Sequence, residues 1–356
     1  MPLNNHMHCG KDTQTGRGLF LRDLLAATAL VATAAFASPA TAAESNRYMG
    51  ELTIRSLPDE LPEFLRSDAA ALNVGELTRE PDRWRNAGPV FDAQRHSAHY
   101  TKLDDNGVAA TGLKLSAFPP TQEEYAIILH KKGLTERDEG TLYYTMITQF
   151  EQLKQDFAYY RVQTAALKNW TDEKQLAWLR QDMNRRQAQI TEHLALLVHW
   201  AGDAMSPLHT SIHINEWAGT DRGKYPVKVD HFVVEGQYVL KYLTRESVLH
   251  EVAPLHVCED NIQVCLAKAF EYNVTFAEPL YKLVNDGGFP ANAPDPRGVR
   301  FMTEATARQV SLARDLVVKA WRESADQTLG YPPGEVKVRD IVNGAVPTFE
   351  QLHGWD

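Results

Sequence analysis

Apolar residues recur every three or four positions in two long stretches near the middle of the chain. Between residues 140 and 168 this repeat is carried by Leu142, Met146, Phe150, Leu153 and Phe157. Such spacing places the side chains on one face and predicts a long amphipathic helix. A second long helix is predicted to run from Asp172, a residue type that favours the N-cap, to Met205.

The rest of the chain alternates between shorter helical patterns and stretches rich in proline and glycine. Residues 73–120 and 210–229 carry such residues with little periodicity and are predicted to be mostly loop. Further helices are predicted over 47–72 with proline interruptions, 121–132, 230–252, 261–285 and 303–326. Without an internal repeat or a strand-rich region, the pattern predicts an all-α domain, a compact multi-helix bundle with long loops.

Histidine and carboxylate residues cluster where the second long helix is expected to end. His199 and Asp203 are four positions apart, so a helix would place them one above the other on one face. Pro207 is predicted to stop this helix, which leaves His209 in or near the following turn. The end of the helix and the turn after it therefore offer three side chains that can bind a metal.

His231 and Glu235 repeat the four-residue step on the next predicted helix. Zinc accepts imidazole nitrogen and carboxylate oxygen, and helical pairs at this spacing commonly supply them. One such pair alone is more typical of a solvated helix face, and one histidine beside an apolar run is usually satisfied in the core. His199 closes the apolar run 194–198, and a buried imidazole without a metal needs another hydrogen-bond partner. The whole constellation therefore favours a metal site.

The order and spacing of these residues resemble a known superfamily, the zinc-dependent phospholipases C and the single-strand-specific zinc nucleases. The resemblance is carried by two segments, His199-x3-Asp203-x5-His209 and His231-x3-Glu235. It extends more loosely over most of the chain after residue 46. The resemblance implies an all-α bundle that holds zinc between its helices.

Details of the motif differ between the two branches of this superfamily. Pro207-Leu208-His209 is similar to the Pro-Leu-His of the family signature, with Ser206 where Gln is usual. Glu235 resembles the phospholipase branch, because the nuclease branch usually has Asp at that position. The expected substrate class therefore stays open between phospholipid and single-stranded nucleic acid.

The resemblance also implies which residues hold each zinc ion. His199 and Asp203 would bind one zinc together with two residues of the early loop, Asp82 and His99. Asp92 and His96 lie nearby in the sequence and are the alternatives for these two positions.

A second zinc would take His209, His231 and Glu235. Two such ions could clamp a phosphate and lower the pKa of a bound water. Asp82 could in addition act as a catalytic residue that orients or deprotonates this water.

A departure from the family lies near the N-terminus. Family members commonly bind a third zinc through an N-terminal Trp, a His shortly after it and a bridging Asp, here Asp203. Asn46 stands at the His position and Thr41 near the Trp position. Neither is a good zinc ligand, so we predict two zinc ions and a third site that is absent or weak.

The first residues have the pattern of a secretory signal peptide. Basic residues precede an apolar run over 24–36, and Ala40-Thr41-Ala42 fits a small-residue cleavage site. The run is short for a helix that spans a membrane. We therefore predict a signal peptide over residues 1–43 and an exported phosphoesterase-like domain over residues 44–356, secreted or periplasmic.

Cysteine usage agrees with export. Cys9 would leave with the signal peptide, and the remaining pair, Cys258 and Cys265, suggests a disulfide in an oxidising compartment. Seven positions along a straight helix would hold the two residues too far apart, so a bridge requires a turn, most plausibly at 259–261. A free buried pair is the alternative.

Composition narrows the function less than the motif does. A hydrophobic fraction of 44% and a charged fraction of 23% are ordinary for a globular protein. The formal net charge of -9 gives no basic footprint for tight nucleic-acid binding. It does not exclude a nuclease whose metal ions meet the phosphate.

Two hypotheses of different classes follow. The first is an exported zinc-dependent phosphoric ester hydrolase that cleaves phosphodiester bonds, of the nuclease or the phospholipase C type, with no stable protein partner evident. The second is a zinc-stabilised binding or structural protein of the same fold that has lost catalysis, and the missing third site motivates it.

Overall fold

A computed structural model describes residues 40–85, 87–329 and 336–354, and it is built almost wholly of helices over these ranges. The predicted signal peptide lies outside the described residues, except for its last positions, which begin the first helix. The helices in chain order are α1 (Ala40–Arg55), α2 (Asp68–Leu77), α3 (Glu80–Arg83), α4 (Pro89–Arg95), α5 (Gln122–Lys131), α6 (Glu136–Glu139), α7 (Leu142–Asn169), α8 (Glu173–Ala204), α9 (Pro207–Thr210), α10 (Val239–Tyr242), α11 (Arg245–Glu251), α12 (Ile262–Val274), α13 (Ala277–Asn285), α14 (Pro296–Glu323), α15 (Val338–Val342) and α16 (Phe349–His353).

The two long central helices form where the apolar repeat predicts them. Asp172 caps α8, since its carboxylate accepts hydrogen bonds from the backbone N–H groups of Lys174 and Gln175. Side-chain contacts between α7 and α8 pair Gln163 with Asp182 and, further along, Gln149 with the carbonyl of His193. Residue numbers rise along one helix as they fall along the other, so the two helices pack antiparallel. The prediction of an all-α bundle is confirmed.

Two further helices complete the central bundle. α1 and α14 pack against α8, and α14 also packs against α7. Gly202 faces α1, and a Cβ built at this position would lie too close to the end of the Met49 side chain, which would have to move. α1 therefore passes close to the last turn of α8, where the predicted metal ligands begin.

The segment from residue 73 to 120 is more ordered than the sequence predicts. It contains the end of α2, the short helices α3 and α4, and single 3-10 turns over Ser97–His99 and Leu115–Ala117. The prediction of a mostly irregular loop was wrong for these parts. α3 has four residues and α4 has seven, and both are too short for an apolar repeat to be recognised in the sequence.

The helix predicted over 230–252 is interrupted. A π-helix occupies Phe232–Tyr238, α10 follows directly, and an extended residue, Leu243, separates α10 from α11. Thr244 then caps α11, because its hydroxyl accepts from the backbone N–H of Ser247. A new cap of this kind starts a separate helix instead of continuing the previous one.

The helix predicted over 261–285 is also two helices, α12 and α13. Pro279 lies in the first turn of α13, where its missing N–H costs nothing. In one continuous helix its ring would clash with the carbonyl of Thr275, so the chain breaks between the two elements. α14 begins at Pro296, earlier than the predicted start near residue 303.

The end of the described chain adds a small sheet and two short helices. Thr328–Leu329 (β1) and Val336–Lys337 (β2) pair antiparallel, with Leu329 opposite Val336. α15 and α16 pack outside the central helices through apolar side chains that include Ile341 and Leu352. The tail that was predicted to be irregular therefore has some regular structure.

Cys258 and Cys265 form a disulfide. Their sulfur atoms are 2.05 Å apart and their Cα atoms 6.0 Å apart. The turn that the bridge requires lies before α12, which begins at Ile262. The predicted pairing and its turn are confirmed, and such a bridge indicates an oxidising compartment. Over the described ranges, none of the helices combines the length and apolar character needed to cross a bilayer.

Candidate metal centre

Backbone pairing brings the early loop against the one-turn helix α9. The amide of Thr101 donates to the carbonyl of His209 at 2.9 Å, and the amide of Leu103 donates to that of Thr210 at 3.2 Å. The amide of Ile212 completes the ladder by donating to the carbonyl of Leu103 at 2.9 Å. Residues about a hundred positions apart in sequence are thereby held side by side, and His99 lies next to His209.

The first cluster of possible ligands joins α3, the early 3-10 turn and α8. Asp82, His99 and His199 each place one ligand atom within 4.8 Å of the others. His99 and His199 are 2% and 1% exposed. Asp82 is partly exposed and lines a small cavity next to the candidate ligands, which we call the cavity above the ligands. We call these three residues the buried set. Asp82 and His99 lie beside His199, whereas Asp92 and His96 belong to neither cluster found among the described residues.

The second cluster joins α9 to the start of the π-helix. His209, His231 and Glu235 also place ligand atoms within 4.8 Å of one another. Nε2 of His209 lies 3.1 Å from Nε2 of His231, and Nε2 of His231 lies 3.3 Å from Oε2 of Glu235. We call these three residues the open set, because His231 and Glu235 are only partly buried.

Asp203 lies between the two sets. Its Oδ2 atom is 2.9 Å from Nδ1 of His99 and 3.4 Å from Nε2 of His199. Its Oδ1 atom is 3.6 Å from Nδ1 of His209, so one carboxylate reaches both sets. All seven ligands predicted from the sequence are therefore close together in the structure.

Backbone carbonyls orient two of the imidazoles. Nδ1 of His199 donates to the carbonyl of Thr78 at 2.8 Å, and Nδ1 of His209 donates to the carbonyl of His99 at 2.5 Å. In a neutral imidazole with its proton on Nδ1, the lone pair is on Nε2. The Nε2 lone pairs then face the other ligands, which is the arrangement found around metal-binding histidines.

The donor chemistry fits a metal ion in each set. In the open set, Nε2 of His209 faces Nε2 of His231 and lies 3.9 Å from Oε2 of Glu235. Lone pairs and a negative charge that point at each other repel unless a proton or a cation lies between them. Nitrogen and oxygen donors in this mixture suit zinc. Two clusters can thus each hold a metal ion.

Burial changes the acid–base behaviour of these groups when no metal is bound. Burial lowers the pKa of His99 to about 4, against the opposing effect of Asp203. Burial also lowers the pKa of His231 and outweighs the opposite effect of Glu235. Burial raises the pKa of Asp203, but the surrounding imidazoles outweigh it and leave this pKa well below its usual value. Burial opposes the change, but Asp203 outweighs it and raises the pKa of His199. Metal binding would therefore favour loss of a proton from this imidazole, because histidine binds metal in its neutral form.

Three further residues contact the carboxylates of the candidate ligands. Asn46 Nδ2 donates to Oδ2 of Asp82 at 2.9 Å, and Arg85 Nε lies 3.5 Å from Oδ1 of the same carboxylate. Ser206 caps α9 and its hydroxyl donates to Oε1 of Glu235. These contacts join α1 and α3 to the site and depend on tertiary packing. Thr41, the other position considered for a third zinc, belongs to the part of α1 whose side chains are not described.

No protein-family model, curated protein or solved structure matches the chain.

Proposed function

We propose that the protein is an exported zinc-dependent phosphoesterase that hydrolyses phosphodiester bonds, of the nuclease or the phospholipase C type. The observation that supports this most directly is the pair of three-residue ligand sets that Asp203 joins. Asp82, His99, His199 and Asp203 would hold one zinc. His209, His231 and Glu235 would hold the other.

Two bound zinc ions would supply Lewis acidity toward phosphoryl oxygens and a water of lowered pKa. The chain itself supplies the groups that position the reactants. Asp82 lines the cavity above the ligands and accepts a hydrogen bond from Asn46, so its carboxylate is oriented to accept a proton from a water there. Arg85 lines the same cavity and can bind an anionic oxygen of the phosphoester through its guanidinium.

The direct test is to measure zinc and turnover together. We expect about two zinc ions per chain by elemental analysis of protein purified without chelator, and zinc-dependent hydrolysis of bis(p-nitrophenyl) phosphate. His209→Ala should lose turnover with the fold retained, as judged by circular dichroism. His250→Ala is the matched control, since this histidine is exposed and remote from the site. A folded protein that contains no zinc would contradict the proposal.

One observation favours the second hypothesis, a zinc-stabilised binding protein without catalysis. Asn46 stands where the family has a third zinc ligand, and its amide is already engaged with Asp82. This hypothesis expects bound zinc and a lower Tm after chelation, but no hydrolysis of any phosphoester. Turnover that disappears in His209→Ala would decide against it.

The substrate is tested separately. Zinc-dependent release of product is measured from single-stranded DNA, from RNA and from phosphatidylcholine. Glu235 resembles the phospholipase branch, and the net charge of -9 argues against tight binding of long nucleic acid. We therefore expect any nuclease activity to depend strongly on the metal ions and on local groups near them.

A further inference from the structure

A larger cavity opens beside the metal centre. The space directly above the ligands has a volume of about 60 Å³, whereas the adjoining cavity has about 430 Å³. The two share four lining residues, Arg85, His209, His231 and Phe232. A group bound in the larger cavity would therefore lie next to a phosphoester held at the open set. We call the larger cavity the side pocket.

The side pocket differs in charge from the cavity above the ligands. Its lining includes the cations Arg85, Lys102 and Arg137, and no carboxylate is among the described residues that line it. The smaller cavity is lined by three carboxylates, those of Asp82, Asp203 and Glu235. Three cations around one pocket are notable in a chain with a net charge of -9. The local charge favours an anion in the side pocket.

Arg85 lies 3.5 Å from the carboxylate of Asp82, whereas the other two cations of the side pocket form no ion pair within the described part of the chain. Lys102 Nζ donates to the backbone carbonyl of Asp138 at 2.5 Å, and it lies 5.3 Å from the centroid of the Tyr100 ring. Within the described part of the chain, Arg137 forms no ion pair with a carboxylate. The backbone carbonyl of Arg137 accepts a hydrogen bond from the Tyr100 hydroxyl. This bond holds α6 against the early loop.

The carboxylates nearest in sequence have other partners. Glu136 lies 3.7 Å from His130, and Asp138 accepts from the amide and the hydroxyl of Thr135. Glu139 accepts from the backbone amide of Ala110. Among the described residues no carboxylate forms a direct ion pair with Lys102 or Arg137, although Lys102 attracts the nearby carboxylates of Asp138 and Glu139. Both cations can therefore still contact an anionic ligand.

Gly140 keeps this wall of the side pocket in place. Its φ of 88° favours glycine, and a Cβ there would overlap the backbone of Tyr100. The amide of Leu142 donates to the carbonyl of Tyr100 at 3.0 Å, which ties the early loop to the start of α7. Tyr100 and Phe232 supply aromatic surface beside the cations. These contacts hold the residues on this side of the pocket in place.

We propose that the side pocket binds a second phosphate group of the substrate, next to the phosphoester that the metal centre cleaves. The proposal rests on the proposed function, since it places the cleaved group at the open set. The substrate would be a phosphodiester that carries a further phosphate, and Lys102 and Arg137 would bind this further phosphate. A cationic pocket of about 430 Å³ with aromatic walls is large enough for a phosphate and part of an organic group.

The first test is binding, measured by titration calorimetry on the zinc-loaded protein. Thymidine 3′,5′-bisphosphate is compared with thymidine 5′-monophosphate, and inositol 1,4-bisphosphate with inositol 1-phosphate. We expect the bisphosphate of at least one pair to bind about tenfold or more tightly, as charge-assisted hydrogen bonds allow. Lys102→Ala and Arg137→Ala should each reduce this ratio several-fold, and the double variant should bring it near one.

Matched controls separate the pocket from general surface charge. Lys131→Ala removes an exposed lysine of α5 that does not line the pocket, and the preference should remain. Lys102→Arg should keep most of it. A preference confined to the nucleotide pair would assign the second phosphate to a nucleotide, and one confined to the inositol pair would assign it to a lipid headgroup. Equal affinity within both pairs, or a preference that the double variant retains, would overturn the proposal.

Turnover distinguishes failure of this inference from failure of the proposed function. Bis(p-nitrophenyl) phosphate carries no second phosphate and reports on the metal centre alone. Zinc-dependent hydrolysis of this ester without any bisphosphate preference would remove the side pocket's role and leave the phosphoesterase intact. A bisphosphate preference that depends on Lys102 and Arg137, in a protein that hydrolyses no ester, would support the pocket and remove the enzyme.

Discussion

Two buried aspartates contact histidines of the same helix, α8, and they differ in what balances their charge. Asp156 on α7 is fully buried, and its carboxylate lies 2.5 Å from both the guanidinium of Arg186 and the imidazole of His193. Asp203 contacts the imidazoles of three histidines, and among the described residues it forms no ion pair with a lysine or arginine. The first carboxylate has a permanent cation of the chain beside it, and the second does not.

This difference separates a structural cluster from a candidate metal site. An ionised carboxylate is costly to bury unless it is paired with a cation or binds a metal. Arg186 meets that need for Asp156. Around Asp203 the neighbours are titratable imidazoles, of which His99 has a pKa lowered to about 4 by burial. Burial opposes it, but Asp203 raises the pKa of His199, so either a proton on this imidazole or a metal ion bound in its place can balance the charge.

The largest expected effect comes from Asp203→Asn, which keeps the shape of the side chain and removes its charge. Zinc content should fall below the roughly two ions of the wild type, because the buried set loses the carboxylate beside His99 and His199 and the open set loses the negative charge beside His209. Hydrolysis of bis(p-nitrophenyl) phosphate should fall about 10³-fold, equivalent to several kcal/mol of transition-state stabilisation. Elemental analysis and initial rates measure the two effects.

The same change at Asp156 is the matched control for zinc. Asp156→Asn should keep the zinc content of the wild type, since Arg186 and His193 do not line the cavity above the ligands. Equal zinc loss in the two variants would show that the aspartates do not differ in the way the charges indicate.

The second prediction concerns stability. Asp156→Asn leaves the largely buried guanidinium of Arg186 without its counter-charge. Breaking a buried pair in this way typically lowers the free energy of unfolding by about 3–5 kcal/mol. Denaturant unfolding measures this loss, and the double variant Asp156→Asn, Arg186→Met should recover part of it. No recovery would mean that the loss comes from packing and not from an unpaired charge.

The sequence predicts the long helices better than the short elements, for a physical reason. α7 and α8 are long enough for the apolar repeat to show, and their ends carry a recognisable cap at Asp172. The π-helix at Phe232–Tyr238 has more residues per turn than an α-helix, and seven residues are too few to reveal that difference in a pattern.

His199 with Asp203 and His231 with Glu235 were predicted from a helical step, whereas Asp82 and His99 were predicted only from the resemblance. The contacts of Asn46 and Ser206 could not be predicted in either way. Asn46 reaches Asp82 because α1 packs against α2 and α8, which is a property of the folded chain. His193 and His199 both lie on α8 next to a buried aspartate, and only their other neighbours distinguish the charge-balanced cluster from the candidate metal cluster.

The third prediction compares how the Asp156 and Asp203 variants respond to removal of zinc. A ligand that binds only the folded state stabilises it by about 2.7 kcal/mol when its free concentration is a hundred times Kd. Removal of zinc with EDTA should therefore lower the Tm of the wild type and of Asp156→Asn by similar amounts. Asp203→Asn should respond less. Scanning calorimetry with and without EDTA measures the shifts, and an equal response of all three proteins would argue that chelation acts elsewhere.

The smallest expected effect concerns Glu51, another carboxylate balanced by cations of the chain. Arg245 Nη2 lies 2.6 Å from its Oε2, and Arg55 Nε lies 3.0 Å from its Oε1. The hydrogen bond from Arg245 is the main reason that the pKa of Glu51 is lowered from 4.5, with Arg55 acting in the same direction and burial opposing both. Glu51 thus resembles Asp156 more than Asp203, although its cations are nearer the surface.

A lowered folded-state pKa contributes stability that is present above the unfolded pKa and is lost as the pH falls through the folded pKa. Glu51→Gln removes this contribution and keeps the side-chain shape. At pH 7 we expect the variant to be less stable by about 0.2–1 kcal/mol, as for partly exposed ion pairs. The difference should shrink as the pH falls below about 4.5, where Glu51 of the wild type takes up a proton. Urea unfolding of both proteins across this pH range measures it, and the zinc content should not change. A difference that stays constant with pH would mean that the pair acts through packing and not through charge.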